Sequence, residues 1–146
     1  MKKIAIGSDH GGYNLKLEII AYLTKAGYSY HDFGCFERKS VHYPDYAKKV
    51  GRAVVKNEYD CGILICGTGI GMSIAANKIR GLRAALCHDI FSARMAREHN
   101  DSNILTMGGR VIGEGLAIEI VKMWLSAHFS QENRHIIRLK KLEEIL

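Results

Sequence analysis

Apolar residues follow two alternating rhythms along this chain. Short unbroken runs are separated by stretches in which apolar side chains recur every three or four positions. The runs read as buried strands: Lys2 to Ser8, Tyr28 to Phe33, Cys61 to Cys66, Leu82 to Cys87 and Asn103 to Met107. The spaced stretches read as helices. Tyr13 to Lys25 carries Leu15, Ile19, Ile20 and Leu23 on one side, and Gly27 closes it. After a polar loop through Tyr43, Pro44 suits a helix start, and Asp45 to Asn57 follows with Ala47, Val50, Val54 and Val55 on one side. A small-residue helix reaches Lys78, and further helices cover Asp89 to His99, Gly113 to Ala127 and Ser130 to Leu146.

Strand and helix alternate five times with short connections, and the strands read as continuously apolar. That pattern predicts a parallel sheet covered on both faces, a three-layer αβα Rossmann-like sandwich with five strands. The last helix follows a helix and so has no strand of its own to cover. Its Ile136, Ile137, Leu139, Leu142 and Ile145 need a second surface, which predicts a homodimer with this extra C-terminal helix at its interface.

Composition narrows the setting. The 146 residues suit a single domain over 1–146. Met1-Lys2-Lys3 is basic, but Ile4-Ala5-Ile6 is too short for a signal-peptide core, and no apolar run approaches the roughly 20 residues of a membrane span. A cytoplasmic protein without membrane contact is the expectation. The net charge of +6 comes from Lys and Arg spread over several helices in runs of two at most, so it predicts no nucleic-acid partner. The four cysteines show no C-x-x-C spacing. Cys61 and Cys66 are five apart on one strand and face opposite sides of the sheet, so neither a metal site nor a disulfide framework is expected. Cys35, Cys61 and Cys87 read as small buried apolar residues.

The candidate chemistry sits at the strand ends, where ligands bind in open α/β sheets. Asp9-His10 follows strand one, Cys66-Gly67-Thr68-Gly69-Ile70-Gly71 follows strand three, and Gly108-Gly109-Arg110 follows strand five. Glycines bring backbone amides close to an anion, and a helix N-terminus adds positive potential. Cys66 among those amides is either one more buried cysteine or a thiol in the setting where thiolates form. Thr68 could hydrogen-bond that sulfur or a substrate hydroxyl. A dinucleotide loop would need glycine where Met72 stands, although Asp89 lies where a ribose-binding carboxylate belongs; a P-loop is excluded because no Gly-Lys-Ser/Thr follows. His10 and His99, taken singly, read more readily as surface or hydrogen-bonded histidines than as site residues. Arg134 and Arg138 share a helix face and could grip one phosphate, or be part of a solvated basic face. Tyr43 beside Pro44 could be a loop anchor. His99-Asn100, ending a helix that follows strand four, should point to the opposite sheet edge and would serve a neighbouring subunit's site.

Taken together, the run Ile6-Gly7-Ser8-Asp9-His10-Gly11-Gly12, the Cys66 to Gly71 loop, His99-Asn100, Gly108-Gly109-Arg110 and the pair Arg134-His135-x-x-Arg138 resemble the ribose-5-phosphate isomerases of the B type. The resemblance spans essentially the whole chain, with the motifs in the family's order. It implies interconversion of ribose 5-phosphate and ribulose 5-phosphate without metal or cofactor, in sites shared between the two subunits of a homodimer, which in turn could pair into a tetramer. It implies Cys66 as the base that moves a proton between C1 and C2, and the amides of Gly67, Thr68, Gly69, Ile70 and Gly71 with Asn100 as the anion hole for the enediolate. Thr68 would shuttle protons, and His99 would be the acid that opens the furanose ring. Asp9 and Tyr43 would line the sugar site, while His10, Arg110, Arg134 and Arg138 would bind phosphate.

Two rivals differ in what they ask of these residues. An isomerase of allose 6-phosphate or galactose 6-phosphate needs the same set with more room. The galactose 6-phosphate enzymes divide the set between different subunits, whereas here it lies on one chain. A nucleotide-binding regulatory module would use the Gly67–Gly71 loop but has no need of Cys66 or His99.

Overall fold

The computed structural model describes residues 1–145. Five parallel strands, β1 (Lys3–Ser8), β2 (Ser29–Asp32), β3 (Cys61–Cys66), β4 (Ala84–Leu86) and β5 (Ile104–Gly108), lie in the order β2-β1-β3-β5-β4. Six helices accompany them: α1 (Tyr13–Lys25), α2 (Tyr43–Val55), α3 (Ile70–Asn77), α4 (Ile90–Glu98), α5 (Glu114–Ser126) and α6 (Asn133–Glu143).

The strand order decides which face each helix covers. Crossovers between parallel strands are right-handed, so a helix changes face whenever the chain reverses direction across the sheet. The steps β1 to β2 and β4 to β5 run one way, and α1 and α4 share a face with α5. The steps β2 to β3 and β3 to β4 run the other way, and α2 and α3 cover the opposite face. The two cores divide β3 accordingly. Cys61, Ile63 and Ile65 join Leu15, Ile19, Ile120 and Trp124, while Leu64 and Cys66 join Val50, Val54 and Met72. Cys61 and Cys66 do face opposite sides. Each fully buried aliphatic side chain here contributes roughly 1.5–3 kcal/mol relative to exposure.

The chain turns both ways from β1 and β3, so the loops leaving their carboxyl ends part toward opposite faces and open a crevice between them. The register sets Ser8 beside Ile65 and Cys66 beside Gly108, which brings the ends of β1, β3 and β5 to one level.

Three expectations are corrected. The edge strands are not continuously apolar: β2 alternates exposed and half-buried residues, and β4 shortens to half-buried Ala84 and Ala85 with exposed Leu86, because each has one free side. Helix α2 begins at Tyr43 rather than after it, so Tyr43 belongs to the first helical turn. The last helix runs only from Asn133 to Glu143, with Ser130 and Gln131 in the preceding loop; Leu146 lies outside the described residues. Of its apolar residues, Ile137, Leu142 and Ile145 are exposed, and Ile136 and Leu139 are half-buried. Among the described residues no helix is long and apolar enough to cross a membrane.

Candidate active site

Three glycine loops meet at the carboxyl edge with almost no side chain between them. A Cβ on Gly11 would lie 3.0 Å from the Gly67 nitrogen, one on Gly109 would lie 2.6 Å from the Gly11 carbonyl oxygen, and one on Gly108 would lie 2.7 Å from the Thr68 backbone. Hydrogen bonds tie the loops together: the Gly109 amide donates to the Cys66 carbonyl at 2.8 Å and the Arg110 amide to the Gly67 carbonyl at 3.0 Å.

Cys66 ends β3, is 4% exposed, and its Sγ accepts the Gly69 amide at 3.1 Å. Gly69 makes this possible by taking a left-handed conformation (φ 79°) as the N-cap of α3, a backbone shape that glycine adopts at low cost. Thr68 Oγ1 accepts the Ile70 amide at 3.2 Å, leaving its hydroxyl proton free to be donated. The loop amides thus divide. Those of Gly69 and Ile70 serve the loop itself, while those of Gly67, Thr68 and Gly71 have no partner among the described residues. Of the run expected to form an anion hole, these three amides are the ones left free to donate among the described residues. Met72, where a dinucleotide loop would have glycine, is fully buried in the core under α3.

Around this floor stand polar groups from other elements. Asp9 is buried; its Oδ1 accepts the Gly12 amide at 3.1 Å, which leaves Oδ2 unengaged among the described residues. His10 Nδ1 accepts the Val41 amide at 3.2 Å, so Nε2 carries the proton in the neutral ring and is the nitrogen left to donate. The Arg110 guanidinium lies over Gly67, one nitrogen 3.2 Å from where a Cβ would stand. The Tyr43 ring covers Gly71 in the same way, at 2.7 Å. Asp9, His10, Tyr43, Cys66, Thr68, Arg110 and the glycine loop therefore share one edge.

His99, Asn100, Arg134 and Arg138 do not. His99 is the C-cap of α4, which runs back from the carboxyl edge to the amino edge, and the Glu98 carbonyl there accepts the Ser130 amide at 2.9 Å. Arg134 on α6 pairs with Glu132 at 2.9 Å on the exposed surface, and Arg138 is exposed one turn on. A cavity of about 960 Å3 opens at this end, lined by Arg80, Arg83, Asn100, Leu142 and Ile145 among others. The candidate residues thus form two groups at opposite ends of one chain.

The remaining candidates have structural uses. Both Asp89 carboxylate oxygens cap α4, taking the Ser92 amide at 2.6 Å and the Ser92 hydroxyl at 2.7 Å, and these bonds hold its carboxyl below the usual range. Burial pushes the thiols of Cys61 and Cys87 up to about 11 and about 12, so both stay protonated. Cys35 is buried 3.9 Å from the Ser8 hydroxyl, and all four cysteines are unpaired.

Two groups escaped sequence reasoning. His88 Nε2 accepts the Gly108 amide at 3.1 Å, where the imidazole continues the β5 ladder past the end of β4. Lys16 is fully buried, its Nζ bonded to both oxygens of Asp32 at 2.7 and 2.9 Å and to the Cys35 carbonyl at 2.5 Å, which fastens α1 and the segment after β2 beneath the site. The signal for Lys16 was its place one residue after Leu15 on the inward face of α1.

The profile of the Ribose/Galactose Isomerase family matches residues 4–142. The chain is similar to Ribose-5-P isomerase B of Listeria innocua (50% identical, covering 98% of this chain and 96% of the relative). It is also similar to Ribose-5-phosphate isomerase B of Escherichia coli (48%, covering 99% and 97%). Among solved structures, Ribose-5-Phosphate Isomerase B of Clostridium thermocellum is 57% identical, with a TM-score of 0.96 over 98% of this chain and 96% of that one.

Proposed function

The chain belongs to the ribose/galactose isomerase family, and we propose that it interconverts D-ribose 5-phosphate and D-ribulose 5-phosphate by proton transfer through an enediolate, in the non-oxidative pentose phosphate branch. The observation that carries this reading is the Cys66 sulfur held by the Gly69 amide, in a floor of backbone amides at the edge shared with Asp9 and Arg110.

An aldose becomes a ketose when a base removes the C2 proton and returns it to C1 while charge rests on oxygen. Cys66 as thiolate takes that proton. The unpartnered amides of Gly67, Thr68 and Gly71 face the developing enediolate, and the Thr68 hydroxyl passes a proton between the substrate oxygens. Asp9 Oδ2 accepts from sugar hydroxyls, Tyr43 walls the sugar over Gly71, and His10 Nε2–H and Arg110 bind the phosphate. Proton transfer between two carbons consumes no cofactor.

His99, Asn100, Arg134 and Arg138 enter from a second copy of the chain. His99 is the acid that opens the furanose, Asn100 joins the anion hole, and the arginines clamp the phosphate. Two observations support a homodimer: the set divides between opposite ends of one chain, and Ile137 (53%), Leu142 (47%) and Ile145 (74%) stand exposed on and just beyond α6. A cytoplasmic setting consistent with unpaired cysteines, and the absence of nucleic-acid or membrane partners, complete the reading.

The test is turnover of ribose 5-phosphate against allose 6-phosphate and galactose 6-phosphate, with and without chelator, repeated in D2O. Pentose preference, indifference to chelator and deuterium at the transferred position are expected. Faster turnover of a 6-phosphohexose would move the assignment to the hexose branch, and no turnover of any would remove the isomerase reading.

A further inference from the structure

Resting on the reading of His99 as the ring-opening acid, we propose that His135 is the positioning residue that holds the His99 imidazole in its working orientation. The two rings lie face to face, centroids 4.3 Å apart and planes 14° from parallel. His99 is fixed in the backbone by its amide bond to the Met95 carbonyl, but its ring makes no hydrogen bond among the described residues. The stack is therefore what limits its rotation.

His135 is built for this use. It is the one buried residue of α6, 4% exposed on a helix whose other residues are exposed or half-buried. Its Nε2 is buried with no partner among the described residues, so nothing at that nitrogen would stabilise a proton on it. Burial, then the neighbouring His99, Arg134 and Arg138, lower its proton affinity, against a smaller opposing effect of Glu132. A neutral flat face beneath His99 orients the ring without repelling the proton that His99 must hold. The same helix carries Arg134 and Arg138, so docking α6 through His135 also fixes the two arginines relative to the acid.

A step that stops short of the ring separates this role from simple packing. Ribose 5-phosphate enters as a furanose and needs the proton from His99. Ribulose 5-phosphate, whose O5 is esterified, enters as the open chain, and exchange of its C1 hydrogen with D2O needs only enediolate formation at Cys66. His135→Leu fills the volume without a flat face, and His135→Phe restores the face. In His135→Leu, turnover from ribose 5-phosphate should fall roughly 10- to 100-fold, the cost of a misplaced catalytic group. The C1 exchange of ribulose 5-phosphate should fall far less, and His135→Phe should recover most of the lost turnover at unchanged KM. If turnover in His135→Leu matches the unsubstituted protein, or if turnover and exchange fall equally, or if His135→Phe is as impaired as His135→Leu, the inference falls. His99→Asn supplies the control. A loss of turnover beyond that of exchange there, with none in His135→Leu, overturns the role of His135 alone, whereas no such selective loss in His99→Asn overturns the reading of His99 itself.

Discussion

The Gly69 amide donates to the Cys66 sulfur at 3.1 Å, so the chain's own backbone holds the atom proposed to move the proton. Cys66→Ala removes the base and leaves the amide floor. We expect turnover to fall by at least the roughly 10^2- to 10^4-fold that a general base contributes. Phosphosugar binding, followed by calorimetric titration of the inactive variant, should persist. Near-normal turnover of Cys66→Ala would move the base elsewhere.

Arg110, Arg134 and Arg138 are assigned to phosphate, and a hydrogen bond to a charged group is worth about 1.5–3 kcal/mol. Each substitution to Ala should therefore raise KM more than it lowers kcat. Steady-state kinetics on the three variants checks this, and unchanged KM in both Arg134→Ala and Arg138→Ala would take α6 out of the phosphate site.

Shared sites predict complementation. On the proposed reading, Cys66→Ala and His99→Asn each cut turnover of ribose 5-phosphate, but they damage different halves of the site. Unfolding and refolding a one-to-one mixture should restore activity to about a quarter of the sites, since random pairing of an isologous dimer makes half the dimers mixed, each with one intact site. A mixture as inactive as its components would mean that each chain works with its own residues alone.

Lys16→Met leaves Asp32 without its cation and the Cys35 carbonyl without its donor. Breaking a buried pair costs about 3–5 kcal/mol, and because Asp32 keeps 21% of its side-chain exposure the low end applies. The denaturant midpoint reads it directly. A change under about 1 kcal/mol would mean that the pair is matched by solvent.

His135 also sets a pH limit. Its folded proton affinity lies below the unfolded value of 6.5, so the unfolded chain binds more protons in that range. The stability it contributes is fully present above about pH 6.5 and is lost as pH falls through the lower folded value. In thermal melts between pH 7.5 and pH 5, on the scale of the histidine titration, the unsubstituted protein should lose stability relative to His135→Phe as pH falls. Parallel curves would assign the acid loss to other groups.

How much of this was legible in the sequence depends on where each residue's partners lie. Helix α1 and strand β3 have the bounds their periodicity predicts, because core burial repeats along each element. The edge strands were read too long, since their limits depend on which side of the sheet stays free, and no local pattern encodes strand order. The strand-end motifs Asp9-His10, Cys66 to Gly71 and Arg110 come together because parallel register is set by the same apolar runs that reveal the strands. The division of the loop amides was hidden, since it depends on the left-handed turn at Gly69 and on the direction of two hydrogen bonds. Lys16 and His88 were hidden for a related reason: their partners, Asp32 and the Gly108 amide, are distant in sequence and joined by the fold.

The glycine-on-glycine meeting of three loops has a consequence for how such a protein can change. A methyl group on Gly11, Gly108 or Gly109 would act as a wedge among loops carrying Asp9, Cys66 and Arg110 at once, so the reacting edge offers selection almost nothing to adjust. On the proposed reading, new sugar lengths must then be accommodated by Tyr43 and the second copy of the chain, and a library searched for altered substrate size should yield its hits there while the glycines stay fixed.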